Sequence, residues 1–331
     1  MEPVRLASIG LGWWGGVLAE KAAAGGADVV RCFARSEDAR QAFGETHGAR
    51  PAGSYEEILA DPDVEGVLIA TPHSTHADLV VQAAAAGKHI FCDKPFTLTV
   101  AEGKRATEAA AAAGVVLQVG HNRRRQPANR RLKQMIDDDE LGMIHYAEAN
   151  LSHPKGLTPR GGWRGEPAES PAGGMTGLGV HMADTLVYLL GRASRVSAFS
   201  RQTLAVAKLD DVTTANIEFD NGALAYLATS LVIPDIAKVS VWGTKAAAMN
   251  EWDGAQFSVQ QSGEKHTTQQ EIEILDTVKD ELEEFAANLR SGSAPETGGA
   301  EATEVIAILE AVVESAARGA IVDLDEVRAR S

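Results

Sequence analysis

The chain has 331 residues, 44% hydrophobic and 23% charged, the balance of a soluble globular protein long enough for one large domain or two ordinary ones. Its formal net charge of −15 gives a surface that repels nucleic-acid phosphates and anionic lipid heads, so neither is an expected partner. Two cysteines, Cys32 and Cys92, lie in apolar strand-like runs and read as reduced, buried thiols rather than a disulfide framework or a metal-ligand set.

The start, MEPVRLASIG, lacks the charged region and long apolar core of a signal peptide. No stretch approaches the ~20 continuous apolar residues that span a bilayer, so a cytoplasmic location is expected. In chain order, residues 4–9 read as a strand and 14–24 as a helix stopping at Gly25-Gly26. A strand at 28–33 follows, then an apolar strand at 66–70, a helix at 76–86 stopped by Gly87, and a strand at 89–92. The helix at 100–113 carries a capping-box start, Thr99 with Glu102, and a Gly114 stop; a strand at 115–119 ends the series. Apolar strands alternating with helices predict a parallel, doubly wound α/β sheet of the Rossmann kind.

The pattern then changes. After a helix near 128–138, residues 144–152 alternate like a half-buried strand. Strand candidates follow at 196–200, 213–219, 223–231, 238–242 and 257–260, with Asn221-Gly222 as a hairpin signal between two of them. These predict a second α+β domain with an open, mostly antiparallel sheet, closed by helices near 278–290 and 302–317. The boundaries read as 1–124 for the first domain and 125–331 for the second.

Gly10-Leu11-Gly12-Trp13-Trp14-Gly15 follows the first strand and opens the first helix. In that context the glycines permit the turn, the approach of a diphosphate and close helix–strand packing, while the helix N-terminus receives the anion. The second strand ends in Phe33-Ala34-Arg35-Ser36. The acid that holds the ribose 2′-hydroxyl of NAD is missing, and Arg35 and Ser36 suit a 2′-phosphate instead, which favours NADP with NAD still open.

Asp93-Lys94-Pro95, within AAAAGKHIFCDKPFT, resembles the Glu/Asp-Lys-Pro motif of the Gfo/Idh/MocA oxidoreductase family. The resemblance runs through the chain: GLGWWG is similar to the nucleotide loop, and Ala70-Thr71-Pro72-His73-Ser74-Thr75-His76 to the ribose-side loop. Gly120-His121-Asn122-Arg123-Arg124-Arg125 resembles the crossover to the second domain, and Gly173-Gly174 through His181 and Asp184 the catalytic-helix motif. It implies a Rossmann domain, an open-sheet second domain, a homodimer or homotetramer often joined through that sheet, and no metal. Together with the glycine loop and the Arg35-Ser36 reading, it gives an expected cofactor set of Gly10, Gly12, Trp13, Trp14, Gly15, Arg35, Ser36, Thr71, Pro72, His73, His76, Asp93, Lys94 and Asn122. The expected chemistry moves a hydride between the nicotinamide and a ring carbon or carbonyl of a sugar, cyclitol, dihydrodiol or related acid.

Lys94 ends an apolar strand at the carboxyl edge of the sheet, where half-burial near a cationic ring would disfavour its ammonium and suit proton transfer. On a helix reaching about residue 190, His181, Asp184 and Tyr188 share a face, so Asp184 is expected to orient the His181 imidazole. Many relatives carry an aspartate four residues before this histidine; here the position is Gly177. The missing carboxylate leaves the usual polyol grip in doubt and opens room for a bulkier or charged substrate. Arg124, Arg125, Trp163 and Arg164 are candidates for a cationic substrate pocket with one aromatic wall, alongside Lys94 and His181. Two alternatives stay open: an NAD-dependent glycosidase working by transient oxidation, and a non-catalytic dinucleotide-sensing protein.

Overall fold

The computed structural model describes residues 2–158, 161–204, 206 and 208–331. Its contacts divide the chain into two compact units, Met1–Asn122 with Asp276–Thr303, and Arg123–Leu275 with Glu304–Ser331.

The first unit contains β1 (Val4–Ile9), α1 (Trp13–Ala24), β2 (Ala27–Phe33), α2 (Glu37–His47), β3 (Arg50–Pro51), α3 (Tyr55–Ala60), β4 (Gly66–Ile69), α4 (His76–Ala85), β5 (His89–Cys92), α5 (Val100–Ala113) and β6 (Leu117–Val119). The six strands are parallel in the order β3-β2-β1-β4-β5-β6. Strand order reverses between β1 and β4, which creates a crevice beyond their carboxyl ends, the usual ligand position in open α/β sheets. β4 is buried throughout and Ile90, Phe91 and Cys92 of β5 are inaccessible, as strands covered on both faces must be. The predicted capping box is present: Glu102 N–H donates to Thr99 Oγ1 at 3.3 Å and Thr99 N–H to Glu102 Oε2 at 3.2 Å.

The second unit contains α6 (Pro127–Asp137), β7 (Ile144–Ser152), α7 (Val180–Leu190), β8 (Ala193–Arg201), β9 (Val212–Phe219), β10 (Leu224–Ser230), β11 (Ile236–Gly243), β12 (Ala246–Glu251), β13 (Gln256–Gln261) and β14 (Thr268–Gln270). The helix α8 (Thr277–Ser291) belongs to the first unit; α9 (Gly299–Arg318) contains the second crossing, and β15 (Val322–Asp323) and α10 (Leu324–Arg328) complete the second. Nine strands form one sheet, ordered β14-β13-β12-β11-β7-β10-β9-β8-β15, antiparallel except for the β7–β10 pair. Asn221-Gly222 makes the β9–β10 hairpin, with Gly222 at φ +85° and Asn221 Oδ1 accepting from Ala223 N–H at 3.0 Å. On the solvent side of this sheet, Tyr146, Arg195, Asn216, Glu218, Leu224 and Ile321 line a shallow depression of about 280 Å³.

One arrangement differs from the expected boundary: α8 packs in the first unit, although its sequence position lies far beyond residue 124. Leu282 and Phe285 share a buried cluster with Leu18 and Ala22 of α1, and the Phe285 ring meets Phe91 edge-on at 5.7 Å between centroids. Lys21 Nζ lies 3.0 Å from Asp276 Oδ2, and Gln118 Nε2 donates to Glu281 O at 2.7 Å. The alanine-rich β12 carries little strand propensity and has no counterpart among the predicted strands; its Ala246, Ala247 and Ala248 are buried by neighbours on both sides.

Candidate active site

The nucleotide half lies wholly in the first unit. Gly10 has φ +92°, and a Cβ there would sit 2.4 Å from Ala70 O. At Gly15 a Cβ would come within 2.1 Å of Gly10 O, so both positions are closed to any side chain. Gly12 is the opposite case: a Cβ would meet nothing within 4 Å. It is the N-cap of α1, contributes no side-chain cap, and is followed by a first turn without acidic residues. The N-terminal amides of α1 thus face an open seat bounded by backbone, an arrangement that fits the diphosphate of a nicotinamide dinucleotide. Trp13 is 80% exposed at the first helical position, and Trp14 is tucked behind it with ring centroids 5.5 Å apart.

At the end of β2, Arg35 is exposed and Ser36 Oγ accepts from Ala39 N–H at 3.3 Å as the N-cap of α2. Sequence reasoning missed Arg40, one helical turn beyond Ser36. Its Nη1 donates to Ala34 O at 2.8 Å and to Arg35 O at 3.4 Å, and its guanidinium lies 6.0 Å from the Phe33 ring centroid. The signal was its spacing from Ser36 on the helix, which places two arginines around one short loop.

The loop after β4 is tied internally: Thr75 Oγ1 donates to Pro72 O at 2.6 Å and lies 2.7 Å from Thr71 Oγ1. His73 is buried and its ring meets His76 edge-on at 5.9 Å. His76, expected at the cofactor, is instead inaccessible to solvent, with Nδ1 3.0 Å from Pro95 O and Nε2 3.1 Å from Thr71 O. The apolar start of α4 buries the ring between two loops. Asp93 is 9% exposed; burial pushes its carboxyl above the usual range, while the Lys94 and His76 charges pull it back. Burial likewise pushes the His76 imidazole down, opposed by Asp93 and by the facing carbonyls. Lys94 is half-buried directly after β5, and its peptide bond to Pro95 is cis. Asn122 Nδ2 donates to Thr277 Oγ1 at 2.9 Å, holding the first residue of α8.

The second half of the predicted site lies in the second unit. The run Met175–Gly179 is one π-helical turn rather than the start of a regular α-helix, with Gly177 and Gly179 adding no side-chain bulk to the wide turn. α7 continues from it with His181 half-buried. A Cβ at Gly177 would meet no heavy atom within 4 Å, so the room left by the absent carboxylate is real space. Asp184 is 1% exposed and accepts from Arg124 Nε at 3.0 Å and from Arg124 Nη2. Arg124 also lies 5.3 Å from the Tyr188 ring centroid. The structure therefore gives Asp184 a buried partner, Arg124, that the sequence did not suggest. Arg124 and Arg125, expected to line a cationic pocket, are 5% and 2% exposed, and the Asp184 carboxylate compensates the buried Arg124 charge. Arg164 is exposed and stacks over Trp163, 4.1 Å from its ring centroid. Among the described residues no group of three His, Cys, Asp or Glu is placed to hold a metal ion, and no helix is long and apolar enough to cross a membrane.

Comparison with known proteins places this geometry. Residues 4–121 match the oxidoreductase-family model with an NAD-binding Rossmann fold, and residues 129–249 match the Gfo/Idh/MocA C-terminal domain. Over 285 residues the chain is 33% identical to the scyllo-inositol 2-dehydrogenase (NAD+) of Bacillus subtilis, covering 82% of this chain and 81% of that one. It is 30% identical over 204 residues to the 1,5-anhydro-D-fructose reductase of Ensifer adhaerens, covering 60% of this chain and 61% of that one. The chain spans about three fifths of the length of the first curated relatives it matches. Among solved structures, a Desulfitobacterium hafniense protein provisionally assigned as an NADPH-dependent oxidoreductase superposes with a TM-score of 0.93 at 32% identity, covering 99% of both chains. The glycine loop, the Asp93-Lys94-Pro95 loop and the two matched domains together make this chain a member of the Gfo/Idh/MocA oxidoreductase family.

Proposed function

We propose that this protein is an NADP-preferring dehydrogenase or reductase, with NAD accepted less well, acting on a ring carbon or carbonyl of a small sugar, cyclitol, dihydrodiol or related acid. The observation that carries the reading is the open, uncapped N-terminus of α1 at Gly12, in the same unit as a half-buried lysine at the carboxyl end of β5. A bound nicotinamide dinucleotide supplies the hydride acceptor or donor. Lys94 Nζ and the His181 ring handle the proton: one of them takes it from a substrate hydroxyl during oxidation and returns it to a carbonyl oxygen during reduction. Asp184 positions α7, and with it His181, through the buried Arg124 guanidinium.

Arg35 and Arg40 support the NADP preference, because two guanidinium groups at the end of β2 match a 2′-phosphate and no carboxylate ends that strand. Polyhydroxylated rings fit the names of the inositol dehydrogenase and anhydrofructose reductase relatives. The open space at Gly177 favours a substrate with more bulk or charge on that side than a simple polyol. Trp163 and Arg164 supply a stacked aromatic and cationic surface for it. The reading includes a cytoplasmic location, in keeping with two buried free thiols, and a homodimer or homotetramer joined through the solvent side of the nine-stranded sheet.

The test is NADPH and NADH binding together with a turnover panel of sugars, cyclic polyols and cyclic ketones. Arg35→Ala and Arg40→Ala are each expected to weaken NADPH about tenfold, the worth of one charge-assisted hydrogen bond, with little effect on NADH. Tighter NADH binding by the wild type overturns the cofactor preference. Turnover left intact by Lys94→Ala overturns its proton role, and no net change in nicotinamide absorbance during turnover would point to glycosidase chemistry.

A further inference from the structure

One buried side chain of the first unit joins both loops that the proposed chemistry uses. The His76 ring has no accessible surface, and its two nitrogens lie 3.0 and 3.1 Å from the carbonyl oxygens of Pro95 and Thr71. One oxygen belongs to the loop carrying Asp93 and Lys94 after β5; the other belongs to the loop that follows β4, whose Ala70 and Thr71 lie against Gly10. Both neighbours are acceptors. A neutral imidazole has a single N–H, so it would leave a ring lone pair facing a carbonyl oxygen in a site closed to water. An imidazolium fills both contacts. The titratable groups facing the ring are the buried Asp93, from the loop after β5, and His73, edge-on from the turn before α4; Lys94 acts on the same Asp93 carboxyl. Burial, the largest influence, draws the imidazole below its ordinary value, and the Asp93 carboxylate and the facing carbonyls oppose it; only the charged ring, however, satisfies both carbonyl contacts.

We infer that His76 is a positioning residue: charged and donating from both ring nitrogens, it ties the Lys94 loop to the Thr71 loop, with the buried Asp93 carboxylate balancing its charge. The inference rests on the reading of Lys94 given above for its link to turnover, but the state of the ring can be measured separately. When the ring loses its proton one arm of the bridge opens, and the loop that carries Lys94 loses half of its tie to the Thr71 loop.

Protein carrying ¹⁵N-labelled histidine is examined at neutral pH by NMR, without substrate. Two protonated nitrogens on His76 are expected; a single protonated nitrogen overturns the doubly donating bridge. With the substrate identified by the panel, His76→Ala is expected to lower kcat about 100-fold, the scale of a small misplacement of a reacting group, while NADPH still binds. The basic limb of its kcat–pH profile should move, and His76→Gln, which keeps one donor in place, should recover part of kcat. A His76→Ala enzyme with wild-type kcat and pH profile overturns the positioning role. If His76→Ala fails to fold, the wild-type ring spectrum decides. If Lys94→Ala turns over normally, the Lys94 reading fails while the two-proton signature of His76 stands or falls by itself.

Discussion

Gly10 and Gly12 are two residues apart and face opposite constraints. Gly10 occupies the left-handed region against the Ala70 carbonyl, whereas Gly12 borders open space at a helix N-terminus. Gly10→Ala is therefore expected to destabilise the fold by about 1–3 kcal/mol, as strained backbone with a steric clash does. Gly12→Val should leave the melting temperature nearly unchanged while weakening dinucleotide binding about tenfold or more, because the new side chain projects into the seat. Thermal melts and fluorescence titration with NADPH separate the two; equal loss of stability in both variants would mean that the seat is a structural turn. The glycine pattern showed the seat without the structure, since close backbone approach admits few other residues. Arg40 and the Arg124–Asp184 pair were harder to see. Arg40 looks like any helical arginine until its Nη1 is found on the carbonyls of Ala34 and Arg35. Asp184 sits 60 residues from Arg124, a separation no local spacing rule bridges.

Among the elements, strands and helices with strong periodicity were legible nearly to the residue: β1, β5, β7 and α5 start and stop where the apolar runs, the Thr99 cap and the Gly114 stop place them. The π-helical turn was not, because hydrogen-bond register does not follow from composition, and MTGLG reads as poor helix of any kind. The C-terminal α10 is too short to hold itself in place, and ion pairs with α9 help secure the end of the chain. Arg330 and Arg318 hydrogen-bond to the Glu314 carboxylate and hold it below its ordinary value of 4.5; Arg330 Nη1 also donates to Glu310 Oε1 at 2.6 Å. A carboxyl depressed in the folded state contributes stability above its unfolded value and loses it as pH falls through the folded one. Glu314→Gln should thus cost less than about 1 kcal/mol at pH 7, given solvent screening, and the gap from wild type should close as the pH drops below 4.5. Melting curves across that range check it; a gap that persists in acid would mean that the loss is one of packing.

For the whole molecule, the two-sheet organisation was readable because strand–helix alternation and consecutive hairpin-linked strands are different patterns. The return of α8 to the first unit was not, since it depends on Leu282 and Phe285 finding the α1 face of a sheet built from residues far upstream. The solvent side of the second sheet carries Phe199 at 64% and Leu224 at 54% exposure, next to the depression that Tyr146 and Ile321 line. Leu224→Asp combined with Phe199→Asp is expected to convert an oligomer to monomer in light scattering without lowering dinucleotide affinity. An unchanged mass would remove this face from the interface. The discontinuity of the first unit also bears on how the protein is made. A ribosome releases Met1–Asn122 long before Asp276–Thr303, so the surface meant for Phe285 has no partner until α8 follows. Through most of synthesis that half-built surface is where a chaperone would act, and the nascent chain stays open to misassembly until α8 emerges.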